Sequence, residues 1–276
     1  MKGDFSRLTG RKATNNHYNA VLKQQGRVQL DSDWNELISI VDHQRKTRTI
    51  DTIGQSGAPI HNSGFKIIHP GNGLQDLLIT SGRYYVGGLL VETSPSSSLP
   101  VRSFSGIHRM MVDDTKIDGI LLAPNQWLMI FTKEDPSGII AQITDTGTNW
   151  VEVNADLSPL SFDTLPTLKY LLLYSGQTDH PNAGNYQTGH DQTGQEETGQ
   201  EQTDLIYLDV WERHITAIED PHLREIALGG PDTDTRSKII AQVKILPGVG
   251  NTDCDEEISG WNDLVKFPNG RLSTRL

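Results

Sequence analysis

The sequence predicts a mainly β protein, in which an N-terminal arm and one α-helix precede an antiparallel β-sandwich or barrel-like domain. From Gly64 onward, short runs rich in β-branched and aromatic residues alternate with turns that contain glycine or proline. No helical pattern separates these runs, which disfavours the alternating units of a parallel sheet. Only 35% of the 276 residues are apolar and 26 are glycine, which suits many short strands joined by turns. We expect an arm and helix at 1–58, a β-domain at 59–247 and a tail at 248–276.

The arm is polar and leads into the strongest helix pattern of the chain. Residues 31–48 are predicted to be helical, with the helix ending near Ile53-Gly54. Asp33 and Glu36 are three residues apart, which fits a capping box at the helix start. Four apolar residues at helical spacing form a stripe along one face: Trp34, Leu37, Ile38 and Val41. This stripe needs to be covered, either by a partner or by the chain's own β-domain.

The β-domain is predicted to be one antiparallel core at roughly 60–247. Strands are expected at 65–69, 77–80, 83–92, 119–122, 126–132, 139–143, 150–153, 168–175, 204–218 and 238–246. In the strand that begins at Asp204, the alternating residues Ile206, Leu208 and Val210 form one aliphatic face. That face predicts a central strand with these three side chains buried.

An insert at 185–203 interrupts the β-domain. Its Thr-Gly pairs recur every five residues among Gln, Asp and Glu, starting at Thr188. Such a stretch cannot bury enough apolar area to offset the entropy of ordering it, so we expect an exposed excursion. His180 and His190 lie near acidic residues, but their spacing matches no recognised metal-ligand set.

Charge and cysteine content restrict the partners and the compartment. The net charge of −11 disfavours nucleic acid and anionic membranes as partners. Cys254 is the only cysteine, so no intrachain disulfide can form. No stretch approaches eighteen consecutive apolar residues, and the first sixteen residues lack the apolar core of a signal peptide. We therefore expect synthesis in the cytoplasm without a signal peptide and no membrane insertion.

No pattern of reactive residues predicts an enzyme. Asp209 and Glu212 face opposite sides of a strand, and Cys254 has acidic neighbours that disfavour its thiolate. The turn Gly229-Gly230-Pro231 lacks the lysine and hydroxyl of a phosphate loop. We predict no catalytic residues, no cofactor and no metal. Carbohydrate binding is the chemical alternative, with Trp127, Trp150 and Trp261 as candidate aromatics, although packing of these rings in the core or under loops is the favoured interpretation.

Two pairs of segments are similar to those of a known family. Gly3–Arg7 with Gln24–Glu36, and Tyr207–Pro221 with Leu223–Arg236, resemble the signatures of a domain-of-unknown-function family from gene clusters for extracellular contractile injection systems. These are phage-tail-like particles, and the domain often precedes a parallel β-helix or another fibre-like region. The insert at 185–203 departs from the family's pattern.

The resemblance implies a structural component of such a particle, at the baseplate or a fibre attachment, and no enzymatic residues. The expected partners are other subunits, in a homo-oligomer for which a trimer is the usual fibre state, inside a particle that can be released. Docking peptides gain affinity from a few buried residues, with Trp and Arg prominent. The predicted partner-binding residues are Phe5, Leu8, Tyr18, Gln25, Arg27, Trp34, Leu37, Ile38 and Val41.

Overall fold

The computed structural model describes residues 16–60, 62–69, 76–160, 166–177 and 204–246, together with Ile258 and Trp261. Within these residues the protein is mainly β, with one α-helix and several antiparallel sheets, as the sequence predicts. The predictions for Phe5, Leu8, Cys254 and the insert at 185–203 lie outside the described residues. So do those for His180 and His190 and for most of the tail.

The helix α1 spans Asp31–Ile53 and ends where the sequence predicts, because Gly54 has φ +99°, outside the helical region; its N–H still donates the last helical bond to the Ile50 carbonyl at 2.8 Å. The helix also begins where the sequence predicts, at Asp31, but the cap residue differs from the prediction. Leu30 is the N-cap, and the Asp33 carboxylate accepts the Leu30 backbone N–H at 3.4 Å. The predicted capping box with Asp33 as the cap is therefore wrong. Asp33 instead occupies the third helical position, where a carboxylate can accept the N–H of the cap residue.

Fifteen strands lie among the described residues. They are β1 (Ser56–Gly57), β2 (Ile67–Ile68), β3 (Leu78–Thr80), β4 (Arg83–Val86), β5 (Leu89–Glu92), β6 (Ser98–Phe104), β7 (Arg109–Val112), β8 (Lys116–Ile117), β9 (Ile120–Leu121), β10 (Trp127–Phe131), β11 (Ile139–Thr146), β12 (Trp150–Val153), β13 (Thr167–Leu173), β14 (Leu205–Ile215) and β15 (Arg236–Leu246). Short 3-10 turns occur at Tyr174–Gly176, Pro221–Leu223 and Ile226–Leu228.

Six of these strands form a closed antiparallel ring. The order is β10, β11, β12, β7, β6 and β13, and β13 pairs back onto β10 over Thr167–Leu171. Register shifts between Ile143 and Asp145 and between Val101 and Ser103 add local irregularity, which helps a sheet to bend. Beyond the ring, β3 pairs with the end of β13, and β2 pairs with β3. The barrel-like architecture thus rests on one closing pair of strands.

The interior of the ring is an apolar core to which every ring strand contributes. One such side chain from each strand is Val101, Met110, Leu128, Ala141, Val151 and Leu168. A second apolar cluster lies on the other face of β10 and β13, where Trp127, Met129 and Leu171 meet Leu78 of β3. Both faces of β10 are consequently covered, which explains its unbroken apolar run.

Three small sheets accompany the ring. They contain β1, β4 and β5; β8 and β9; and β14 and β15. In the described residues β14 pairs only with β15, and Ile206, Leu208 and Val210 are half-buried. The prediction of one core with a buried central strand here is wrong. The ring interior is filled by the six ring strands, and β14 lies in a separate two-stranded sheet.

The chain divides into two compact units. The first comprises residues 1–186 and 210–241 and holds α1 and the ring. The second comprises 187–209 and 242–276. Its described contacts include an ion pair of 2.6 Å between Lys244 and Asp209 and an edge-on contact of Trp261 with Tyr207.

Candidate functional site

Most of the predicted partner-binding residues that the structure describes are accessible to solvent. Trp34 remains 53% exposed, and Ile38 remains 51% exposed one helical turn later. Val41 and Tyr18 are similarly exposed, Gln25 and Arg27 are exposed, and Leu37 is half-buried. The alternative in which the stripe packs fully on the chain's own β-domain is therefore contradicted for Trp34, Ile38 and Val41.

The side of α1 opposite the stripe is the side that contacts the rest of the protein. The buried helix residues are Ser32 and Ile40. At 100° per residue, Ile40 lies well away from the direction of Trp34. Near the end of the helix, the backbone of Lys46 packs closely on Gly88, in the turn between β4 and β5. The exposed stripe therefore faces solvent, while the opposite side of the helix packs on the rest of the protein.

An ion-pair network also holds this side of α1. The Lys46 ammonium lies 2.8 Å from Asp42 and 2.8 Å from Glu212 of β14. Burial lowers the pKa of Lys46, but hydrogen bonds to Asp42 and Glu212 outweigh it and leave the pKa raised. Burial likewise raises the pKa of Asp42, and hydrogen bonds from Lys46 and Arg45 outweigh it, leaving that pKa lowered. Both groups therefore stay charged across neutral pH.

The chain before α1 adds further exposed apolar side chains. Leu22, Val28 and Leu30 are largely exposed, and residues 18–24 and 27–30 have no regular secondary structure. Lys23 lies 6.0 Å from the centre of the Trp34 ring, which places the arm next to the helix start. We call residues 18–41 the arm–helix segment. Val28 and Leu30 were missed as candidates, although their alternation with polar residues before Asp31 is visible in the sequence.

A second candidate site is a cavity of about 260 Å³ on the outer face of β10 and β13. Its apolar wall consists of Ile60, Met129, Phe131 and Pro136. Lys169 of β13 also lines it and is only 4% exposed. No sequence pattern indicates this site, because a lysine within a strand ordinarily faces solvent.

The Lys169 ammonium has few polar contacts. It donates one hydrogen bond, of 2.9 Å, to the Ser63 carbonyl and lies 5.8 Å from the centre of the Phe131 ring. No carboxylate is among the described residues that line the cavity. Burial lowers the pKa of Lys169 to about 8. A buried cation without a counterion is costly to the folded state.

Replacing Lys169 with methionine is therefore expected to stabilise the protein, by roughly 1 to 3 kcal/mol near neutral pH. The pKa of Lys169 is about 8 when folded and near 10.5 when unfolded, so between these values the unfolded chain binds more protons. Wild-type stability should therefore rise with pH in that window, and the advantage of the variant should shrink. Urea unfolding of both proteins at about pH 7.5 and about pH 10 measures this. An equal advantage at both pH values would assign the gain to packing rather than to charge.

The candidate aromatics for carbohydrate binding all have packing partners. Trp127 is buried in the outer apolar cluster. The Trp150 ring is half-buried, with the Arg109 guanidinium 4.1 Å from its centre. Trp261 is half-buried and meets a tyrosine edge-on. No observation on these three residues favours a sugar platform.

The acidic residues near β14 make structural contacts. Glu219 pairs with Arg213 at 2.8 Å, and the Asp220 carboxylate accepts the His222 backbone N–H at 3.1 Å. In the part of the chain that the structure describes, no three His, Cys, Asp or Glu side chains are placed to hold a metal ion. Over the same part, none of the helices combines the length and apolarity that crossing a membrane requires.

The comparisons with known proteins identify a family. The model of a "Family of unknown function (DUF6519)" matches residues 1–115 and 173–264. The arm–helix segment lies inside this match, whereas residues 116–172, with β8 to β12 and most of β13, lie between its two parts. No curated protein and no solved structure matches the chain. Because the match covers more than half of the sequence, the chain belongs to this family of unknown function, DUF6519.

Proposed function

We propose that this protein is a structural attachment subunit of a phage-tail-like contractile injection particle. It joins the baseplate or a fibre through the arm–helix segment, as part of a homo-oligomer. The observation that carries the proposal is the exposed apolar stripe of Trp34, Ile38 and Val41 on a helix held from its other side.

The physical argument starts from the cost of leaving such a surface in water. Single exposed apolar residues are common on protein surfaces, but a contiguous group of them often marks an interaction site. A tryptophan on a fixed helix loses little freedom on binding, so more of its burial energy is realised as affinity. The ion pair of Lys46 with Glu212 supplies this fixation on the opposite side.

The assignment to a contractile particle rests on the two pairs of segments that resemble that family of particle components. Gln24–Glu36 overlaps the arm–helix segment, so the motif and the exposed surface coincide. Sheath, tube and baseplate genes next to this gene would support the proposal. Neighbouring genes for sugar metabolism would instead favour the carbohydrate-binding alternative.

Replacing Trp34 with alanine is expected to weaken capture of the protein by particles by about 2 kcal/mol or more, which is some thirtyfold in affinity. Stability should change by less than about 1 kcal/mol, because half of the side chain is already in water. Particles purified from a strain that lacks this gene are mixed with the protein and sedimented. The bound fraction then gives the affinity.

Matched isoleucines provide the control for this experiment. Ile38 is 51% exposed in α1, and Ile107 is 54% exposed in the loop between β6 and β7. Ile38→Ala should reduce capture, and Ile107→Ala should not. Equal capture of all three variants and the wild type would move the attachment site away from this helix.

A further inference from the structure

The outer cavity is suited to bind an anion, because its described lining includes lysine side chains and no carboxylate. Its described ionisable lining residues are Lys66 and Lys169, both cations. An ammonium can donate three hydrogen bonds, and the one recorded for Lys169 goes to the Ser63 carbonyl. The remaining donor capacity lies beside the cavity rather than in bulk water, since the residue is 4% exposed.

Hydroxyl groups add to this polar end. Thr80 accepts the Lys66 backbone N–H at 3.0 Å through its side-chain oxygen and can still donate its own proton. Ser137 lines the cavity, but its hydroxyl is bonded to Asp135. The polar part of the lining thus offers donors from the Lys169 ammonium and the Thr80 hydroxyl.

The rest of the lining is apolar, and this decides the class of ligand. Met129 and Phe131 come from β10, and Ile60 and Pro136 from the flanking segments. A fully hydrated phosphate would meet these groups on one side and would lose its water there. A volume of about 260 Å³ is smaller than the usual range for drug-sized ligands. The cavity suits a small molecule with one anionic end and an apolar body.

We propose that this cavity binds a small organic carboxylate, with its carboxyl group on the Lys169 ammonium and its apolar body against Met129 and Phe131. This site is separate from the attachment surface of α1, and nothing in the proposed attachment requires it. A charge-assisted hydrogen bond to a carboxylate replaces the missing counterion of Lys169. Binding is therefore expected to oppose the effect of burial and to favour the charged lysine.

The pH dependence of binding follows from the same groups. The carboxylate needs the protonated form of Lys169, whose pKa in the free protein is about 8. Affinity should therefore fall as pH rises above that value. Of the ionisable groups lining the cavity, Lys66 is exposed and is expected to contribute less through screened attraction.

The test uses benzoate as the probe and benzamide as its neutral counterpart of the same shape. Calorimetric titration of the full chain should give a dissociation constant for benzoate of about a millimolar. Benzamide should bind at least roughly tenfold more weakly, because it cannot supply the counterion. Benzoate affinity should also weaken by roughly tenfold or more between about pH 7 and about pH 9.5.

Two lysine variants distinguish binding of benzoate in this cavity from non-specific attraction of benzoate to any surface lysine. Lys169→Met should weaken benzoate binding at least about tenfold, whereas Lys116→Met, at an exposed position of β8, should leave it unchanged. Equal binding of benzoate and benzamide to the wild type would overturn the proposal, even if Lys169→Met failed to fold. So would undiminished benzoate binding by Lys169→Met, or no benzoate binding at about 10 mM.

Discussion

Replacing Leu128 with alanine is expected to lower the free energy of unfolding by about 3 to 5 kcal/mol. Leu128 is 0% exposed and lies inside the ring on β10, between β11 and β13. Its removal would leave a void bordered by strands that hydrogen-bond on both sides, so the surrounding structure has little freedom to collapse. Urea denaturation, monitored by circular dichroism, measures the loss in the free energy of unfolding.

Leu121 is the control for this substitution. It lies on β9 and is 56% exposed, so Leu121→Ala should cost no more than about 0.5 kcal/mol. Losses of similar size in the two variants would contradict the assignment of Leu128 to the ring interior.

Replacing Gly88 with alanine is expected to cost about 3 kcal/mol and to loosen α1 from the turn beneath it. Gly88 has φ +78°, and an added Cβ would lie 2.6 Å from the Lys46 carbonyl oxygen and 2.9 Å from the Lys46 Cα. Both are backbone atoms of the helix, so no side chain can rotate away to make room. Hydrogen exchange of the α1 amides, together with urea denaturation, measures both effects.

A substitution at Gly87, in the same turn, distinguishes the cost of the steric clash with α1 from the cost of backbone strain. It has φ +55°, and an added Cβ there would meet no atom within 4 Å. Gly87→Ala should therefore cost only the strain of a left-handed conformation, about 1 kcal/mol, with the exchange of α1 unchanged. If both alanine variants behaved alike, the close approach of turn and helix would not exist in solution.

The sequence predicted the presence of α1 and both of its ends, but not which side of the helix contacts the rest of the protein. Spacing alone identified the apolar stripe of Trp34, Ile38 and Val41, and an apolar stripe normally faces the core. The held side instead depends on Gly88 and on Glu212, which is 166 residues from Lys46 in the chain. Contacts at such separations leave no periodic pattern in the sequence.

For the strands, too, local features were predictable from the sequence and long-range contacts were not. Alternation and turn residues were enough to predict β10, β11 and β12, which follow one another along the chain. Closure of the ring by β13 was not predictable, because strand pairing depends on long-range register. The aliphatic face of β14 suggested a core strand, although the structure gives it a single described neighbour, β15. Lys169 was overlooked because only the folded sheet shows what covers it.

The closed ring also limits how other chains can attach. A strand at the edge of a sheet offers unpaired backbone groups to which a second chain can add its own strand. Each of the six ring strands has a neighbour on both sides, since β13 returns to β10. Such pairing is therefore blocked along β10, whose residues Trp127–Ile130 pair with both β11 and β13. By contrast β2, at the end of the described sheet, has β3 as its one described neighbour and is the more accessible place for a strand to add.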